Sequence, residues 1–480
     1  MIEVLLAAAA LLLRSPPPRS HVVMDGNDSP MLAAQLARTT RPLSSRDAAR
    51  RGLSLSVLKA IDEVPQAEWD ACARTHNPFV SWAFLHALEA SESCHPEEGW
   101  MPQHLVAMNS TTNKLVGAVP LYLKSHSFGE YVFDQSWARA YRSTAIEKDA
   151  FGPGAGCSGY YPKLQSCVPF TPVTGARLLV ADSENEAQLD NETAAARRDE
   201  IRTVLARGLV ALAERLGVSG VHVTFSSEEE RPAFCKAGFL PRLGVQYHWT
   251  NDNYQSFDQF LDSLKQSRRK AIRQERRKVR DAGIVVKRLK GREIESKHWD
   301  ALHEFYTATV AQKWGRGYLT RDFFRRLGED EMMASRSLLV VAEEEETGEL
   351  VAGALNLIGD DCLYGRHWGC AKRFDALHFE LCYYQAIEAA IELGLPRVEA
   401  GAQGEHKLTR GYLPTLTHSA HYLRHQGFRK SVGSFLKQER EQTYISLASL
   451  AMRHNPFKKE AAEHLKTQGL RVEGKKIVVE

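Results

Sequence analysis

The 480-residue sequence has no CxxC pair, no Cys/His grouping at zinc-finger spacing, no apolar run long enough to cross a bilayer as a helix, and almost no net charge. The eight cysteines, scattered from Cys72 to Cys382, read as buried reduced thiols rather than a disulfide framework. His418, His421 and His425 come nearest to a histidine cluster. In a strand-like segment 418 and 421 point to opposite faces, so no metal site is expected. A formal charge of +3 names no partner, and any electrostatic signal has to be local. What is present is ordinary for a globular chain: 43% apolar and 25% charged residues. The length predicts about two to three domains.

The first 55 residues differ from the rest. An apolar run from Val4 to Leu13 precedes Arg14 and three prolines, and between Ser29 and Val57 Asp47 is the only acid beside five arginines. Acid-poor, Arg/Ser-rich leaders are how organelle transit peptides look. Residues 1–55 are therefore expected to be a disordered or targeting leader, for a chloroplast or mitochondrion if it is a transit peptide, with the protein cytoplasmic otherwise. At about ten residues the apolar run is too short for a membrane span.

The remainder repeats itself. Glu68-Trp69-Asp70-Ala71 recurs as His298-Trp299-Asp300-Ala301. Leu105-Val106-Ala107, a polar turn and Leu115-Val116-Gly117-Ala118 recur as Val340-Val341-Ala342, a polar turn and Leu350-Val351-Ala352-Gly353. Ser136-Trp137 matches His367-Trp368, and the helix ending at Gly217 with strand Val221–Val223 matches the helix ending at Gly394 with strand Arg397–Glu399. Each copy reads as helix, strand, turn, strand, strand, long helix, strand. The turns at Asn109–Asn113 and Glu344–Gly348 suit β-hairpins. Phe379, Cys382, Tyr383, Ala386, Ala390 and Leu393 form the inner stripe of a helix over 378–394, with Glu380, Glu388 and Glu392 on its wet side. The expected organisation is a first module over 56–260 with an insertion at 139–199, a linking helix over 261–283, a second module over 284–450 and a tail over 451–480.

Lys265 to Arg280 holds nine Lys/Arg and one acid, Glu275. On a helix Arg269, Arg273, Arg276, Arg277 and Arg280 share one side. Such a stripe suits a polyanion, a diphosphate or an RNA backbone, and Arg269, Arg273, Arg276 and Arg277 are candidate phosphate contacts. A solvated face neutralised by neighbouring carboxylates is the alternative.

Several strings carry a family resemblance. They are Val132-Phe133-Asp134-Gln135-Ser136-Trp137-Ala138, Tyr160-Tyr161-Pro162-Lys163-Leu164-Gln165 and Pro169-Phe170-Thr171-Pro172-Val173-Thr174-Gly175 in the first copy. The second adds Ala354-Leu355-Asn356-Leu357-Ile358-Gly359, His378-Phe379-Glu380-Leu381-Cys382-Tyr383 and Glu399-Ala400-Gly401-Ala402-Gln403-Gly404-Glu405-His406-Lys407-Leu408. Over roughly residues 56–450 the chain resembles a FemAB-like branch of the acyl-CoA N-acyltransferase superfamily. The resemblance implies an α/β (α+β) fold of tandem GNAT-like modules. It implies transfer of an acyl or aminoacyl group, from acyl-CoA or aminoacyl-tRNA as co-substrate, to a small-molecule or peptide amine in a cleft between the modules.

Direct attack by an amine needs a proton acceptor, donors for the oxyanion and cations for donor phosphates. The loop 399–412 holds all three residue types. Glu405, Glu399, His406 and Lys407 are the catalytic candidates, and Arg410 is a phosphate or oxyanion contact. Fem enzymes place a lysine ahead of a Gly-aromatic pair at this point; here the pair is Gly411-Tyr412, which leaves Lys407 or Arg410 for that role. Asp134, Tyr160, Tyr161, Lys163 and Arg366 are substrate-binding candidates, with core packing expected for Trp137, His367 and Trp368. Gly154 to Gly159 spells GxGxxG, but Pro162 follows where a Rossmann helix would begin. Cys157 in that loop has no base placed beside it by sequence. Neither copy has a glycine-rich pyrophosphate loop before its long helix; Ala371 to Leu377 offers only Lys372 and Arg373. Acetyl-CoA-dependent acetylation of a small amine remains an alternative, as does non-catalytic RNA binding or scaffolding through the basic helix.

Overall fold

The computed structural model describes residues 46–74, 76–143, 159–182, 190–314, 317–402, 404–473 and 476–479. The candidate leader up to residue 45, the GxGxxG stretch up to residue 158 and Cys157 lie outside them. The tandem α/β arrangement is plain from the element order. In the first copy β1 (Leu53–Leu58) is followed by helices Gln66–Ala73 and Trp82–Ala90. Then come β2 (Trp100–Pro102), β3 (His104–Asn109), β4 (Leu115–Val119), β5 (Tyr122–Lys124), β6 (Lys163–Ser166) and β7 (Leu179–Val180). Helix Asn191–Leu216, β8 (Gly220–Ser226), helix Arg231–Lys236 and β9 (Leu240–Thr250) complete it.

The second copy repeats the order with fewer breaks. It runs through β10 (Ile284–Lys290), helices Ser296–Trp314 and Arg321–Glu329, β11 (Ser337–Glu344), β12 (Leu350–Ile358) and β13 (Cys362–Cys370). A helical segment over 377–392, β14 (Arg397–Glu399), a 3-10 turn Glu405–Arg410 and β15 (Leu413–Leu423) follow. The two tryptophans of the repeated string sit alike on helices facing one core, Trp69 and Trp299 both buried.

The copies are joined by exchanging their last strands. The large sheet has the order β10-β11-β12-β13-β14-β9-β15-β8-β6-β5-β2. Thus β9 of the first copy lies on β14 of the second, β15 of the second lies on β8 of the first, and β9 and β15 pair antiparallel with Gly244 opposite Thr417. Equivalent positions follow from this register: His222 stands between Gln165 and His421, as Glu399 stands between Tyr364 and His248.

In the first copy the three strands of the meander are each cut in two, as β2/β3, β4/β5 and β6/β7. Pro120, which has no N–H to donate, separates β4 from β5. With β1, the outer halves β3, β4 and β7 form their own four-stranded sheet. The additional chain of this copy lies at 125–162, between β5 and β6, and at 167–178, between β6 and β7. The expected insertion at 139–199 contains both of those strands and the first turns of helix Asn191–Leu216. Ser136-Trp137 is consequently helical (Gln135–Ser143), whereas His367-Trp368 lies in β13, and this pair of strings does not correspond.

The bounds of the leader and of the linking helix differ from those expected, and the tail has structure of its own. Arg46–Arg50 is helical and β1 begins at Leu53, so the first module starts inside the proposed leader; Asp47 pairs with Arg207 and buried Ala48 packs into the core. The linker is two helices, Phe257–Ser263 and Gln266–Asp281. The tail beyond 450 is ordered: helix Gln426–His454 runs into it, then helix Ala461–Thr467 and the hairpin β16 (Leu470–Glu473) and β17 (Lys476–Val479) pack on Leu447, Ala448 and Ala451.

Candidate functional site

Beyond Tyr364, β13 leaves β14 and follows only β12. Two irregularities bracket the gap. On β13 the register shifts between Leu355–His367 and Asn356–Gly365, which makes Arg366 the extra residue of a bulge. On the helical segment, Glu380–Tyr384 forms a π turn between α-helical Leu377–Phe379 and Gln385–Glu392. A π turn adds a residue and rotates the faces that precede it. That rotation is why Glu380, expected on the wet side, is buried.

Into this gap the loop after β14 brings Gly401 and Gly404, both at positive φ, and then the 3-10 turn. Lys407 is 2% exposed and its Nζ donates to the Gly401 carbonyl at 3.0 Å. No carboxylate pairs with it among the described residues. Burial, and then the nearby Arg366 guanidinium, push its ammonium down to about 7. His406 shares a 2.8 Å hydrogen bond with the Tyr383 hydroxyl, and burial lowers its pKa. Glu405 is exposed at the head of the turn.

Glu399 is held differently. Arg366 Nη2 donates to its Oε2 at 2.9 Å and Arg397 Nη1 to its Oε1 at 3.3 Å, while the Thr174 hydroxyl donates to Oε1 from the first copy. Burial raises this carboxyl, but His248 and the two arginines outweigh it and hold it below the usual carboxylate range. Glu399 thus fixes Arg366, whose Nη1 also caps the Glu399 and Gly365 carbonyls.

Arg410 ties the basic helix Gln266–Asp281 to the same turn: Nη2 donates to Glu275 at 2.8 Å and Nε to the Tyr384 hydroxyl at 3.0 Å. The single acid among nine cations was the signal for this contact. Of the candidate phosphate contacts, Arg276 is bound by Glu380 and Glu388 at 3.1 and 2.9 Å, and Arg269 by Asp262 at 2.8 Å. Arg273 is mostly solvated, 3.7 Å from Asp258, and Arg277 is exposed without a carboxylate among the described residues. Ile272 and Val279 bury the opposite side as the spacing requires. Lys372 is bound to Glu344 and Glu349.

The other candidates form a second group in the first copy. Asp134 accepts from Tyr160 at 2.8 Å, Tyr161 at 2.9 Å, Lys163 at 2.6 Å and the Ser127 hydroxyl. Lys163 also reaches Glu130 at 2.6 Å. All four of Lys124, Glu130, Asp134 and Lys163 are buried. Burial raises Asp134, but Lys163 above all pulls it well below the usual range; burial lifts Glu130 to about 7 and lowers Lys124 to about 7. The network continues through Tyr160 to His222 and on to His421, Nδ1 to Nδ1 at 2.8 Å. Lys124, Glu130 and His222 were not among the residues singled out, and His421 was weighed only as a metal ligand; the strand register brings Lys124, Lys163, His222 and His421 together, and the loop after β5 adds Glu130.

The structure therefore does not gather the candidates into one cleft. Glu399, Glu405, His406, Lys407, Arg366 and Arg410 meet near the start of β15, and Asp134, Tyr160, Tyr161 and Lys163 meet near its end. Leu413 and His421 are eight residues apart, ~26 Å of extended strand. The first copy's own gap is filled by the excursion 167–178. There Arg177, fully buried, donates to the Thr224, Val173, Gly175 and Ala176 carbonyls, and Glu230 accepts the backbone N–H groups of Arg177 and Leu178.

A family model described as FemAB-like, peptidoglycan biosynthesis/recognition, matches residues 60–459. Among solved structures the chain is similar to FemX, with 12% identity and a TM-score of 0.44 over 77% of this chain and 98% of that one. L-PGS from Bacillus licheniformis gives 11% identity and a TM-score of 0.39 over 57% of this chain and 82% of that one. A tandem GNAT protein from the clavulanic acid biosynthesis pathway gives 14% and 0.38 over 77% and 98%. No curated protein matches the chain.

Proposed function

The chain belongs to the FemAB-like family, and from that premise we propose that it is an acyl or aminoacyl transferase working in the gap between β13 and β14 of the second copy. The observation that carries this is Lys407, a buried lysine with no carboxylate partner among the described residues and an ammonium lowered to about 7. Near neutral pH about half of it is a free amine, which is what a general base for an incoming ammonium or amine has to be. The acceptor nitrogen attacks the donor carbonyl, its proton passes to Lys407 Nζ, and the bond to the leaving oxygen or sulphur breaks as the amide forms. Arg366, rigid on Glu399, is the nearest fixed cation for the developing oxyanion. His406 and exposed Glu405 line the way out of the turn.

For the donor, aminoacyl-tRNA is the reading we prefer over acyl-CoA. Arg273 and Arg277 on the basic helix remain available to a phosphate backbone, whereas Lys372, one of the two cations before the second long helix, is occupied by Glu344 and Glu349. The acceptor is an amine on a small molecule or peptide. A donor screen of charged tRNAs against acyl-CoAs, run with wild type and Lys407→Met, tests both halves. Product from one donor class with at least a hundredfold loss of kcat in the variant is expected. A variant that turns over at the wild-type rate removes Lys407 as base.

A further inference from the structure

A hollow lies away from Lys407. It is bounded by helix Arg231–Lys236, the middle of β15, helix Gln426–His454 and the ordered tail. An outer chamber of about 510 Å³ opens onto an inner recess of about 50 Å³, and Arg231, His418, Arg440 and Tyr444 line both. The outer volume falls in the range of small-molecule pockets, about 300–1,000 Å³. We propose that this hollow is a binding site for a small carboxylate with an apolar body, distinct from the acyl-transfer site and independent of that reading.

Two guanidinium groups, of Arg231 and Arg440, line both chambers. Among the described residues Arg440 gives one bond, from Nη2 to the Pro241 carbonyl at 3.2 Å, and Arg231 meets one carboxylate, Glu228, at 3.9 Å. Glu228 is mostly exposed and is also the 3.8 Å neighbour of His418. Two arginines therefore face one loosely held carboxylate, and a ligand carboxylate satisfies them in the bidentate geometry guanidinium prefers. Burial lowers the pKa of His418, which leaves it a neutral hydrogen-bonding partner beside them. The Tyr444 side chain lines both chambers and adds a hydroxyl.

Phe234, Phe239, Leu243 and Ala420 line the inner recess and Leu416 the outer chamber. Of the lining, Leu243, Leu416 and Val479 keep apolar surface in contact with solvent; inorganic phosphate leaves it wet, whereas an alkyl or aryl carboxylate covers it. Affinity then rises by about fourfold for each methylene buried.

Calorimetric titration of the full chain with butanoate, hexanoate, octanoate and benzoate tests the assignment, with inorganic phosphate as comparison. Expected is binding that strengthens with chain length, exceeds that of phosphate and weakens at least tenfold in Arg440→Met. Arg231→Glu, at a residue 55% exposed and so safe for folding, must weaken it likewise. Lys407→Met must leave it unchanged. No binding by any carboxylate, phosphate binding as tightly as octanoate, indifference to both arginine variants, or loss in Lys407→Met each overturns the proposal.

Discussion

Arg177 Nε donates to the Thr224 carbonyl at 3.2 Å, and Lys407 Nζ donates to the Gly401 carbonyl at 3.0 Å. The two carbonyls are equivalent in the two copies, each two residues beyond the paired positions His222 and Glu399. In the first copy the cation arrives on the excursion 167–178 and closes the gap with its own backbone. In the second it arrives from the turn after β14, and on the proposed reading the gap takes a ligand instead. One acyl-donor site per chain is expected. Titration with a non-reactive donor analogue should give a stoichiometry of one; a value of two would show that the first copy also opens.

Lys407 sets a pH dependence of both rate and stability. As a base it must be neutral, so kcat should rise through about pH 7 and level off above it. Lys407→Arg, charged throughout, should abolish that limb. For stability the sign is the reverse of an ion pair. The unfolded lysine keeps its proton to about 10.4 and the folded one loses it near 7, so between these values the unfolded chain binds more protons and stability increases with pH. Below 7 the full cost of a buried ammonium is present. Lys407→Met should therefore raise the unfolding free energy at pH 6 by an amount on the order of 3 kcal/mol, and Tm with it, and the gain should shrink by pH 9. A Tm lowered at pH 6 would mean the lysine is not strained in place.

The first-copy network gives a second pair of opposite signs. Asp134 is depressed, so its contribution is present above pH 4 and is lost as pH falls through its folded value. Glu130 is raised to about 7, so it costs stability as pH climbs from its unfolded value to 7. Asp134→Asn should destabilise at pH 7 by about 3 kcal/mol, since it leaves Lys163 buried beside a costly carboxyl. Glu130→Gln should be neutral or stabilising at pH 8. Urea denaturation of both variants at two pH values decides it, and equal losses would contradict the assignment.

Much of the architecture was legible from local pattern. The repeated tryptophans, the hairpin turns closing at Asn113 and Gly348, and the stop at Gly394 are each set by a few neighbouring residues, and they stand where periodicity put them. What was not legible depends on partners far along the chain. No local signal says that β9 and β15 change places, and that exchange sets His222 against His421 and Glu399 against His248. Pro120 was a visible sign that the first copy's strands break, yet where the extra chain goes depends on which sheet each half joins. Glu380 was misplaced because one added residue in a π turn rotates a face that regular helical spacing would expose. The candidate residues were recognised by type, and their division into two groups ~26 Å apart follows from strand length alone.

The basic helix offers the sharpest contrast between neighbours. Arg276 is half-buried between Glu380 and Glu388, at 3.1 and 2.9 Å, and its side chain stacks on Phe257, 4.7 Å from the ring centre. Arg276→Ala leaves Glu380, itself 4% exposed, as an uncompensated buried carboxylate, so a loss of about 3–5 kcal/mol is expected. Arg277, one residue on, is exposed, and Arg277→Ala should change stability by less than about 0.5 kcal/mol. If the helix contacts a phosphate backbone, Arg277→Ala and Arg273→Ala should weaken tRNA binding and flatten its salt dependence by about one unit of slope each. Arg276→Ala should weaken binding only as far as the fold is lost. Thermal melts beside filter binding at several salt concentrations separate the two effects. Equal tRNA binding by wild type and the Arg273/Arg277 double variant would assign the stripe to solvation.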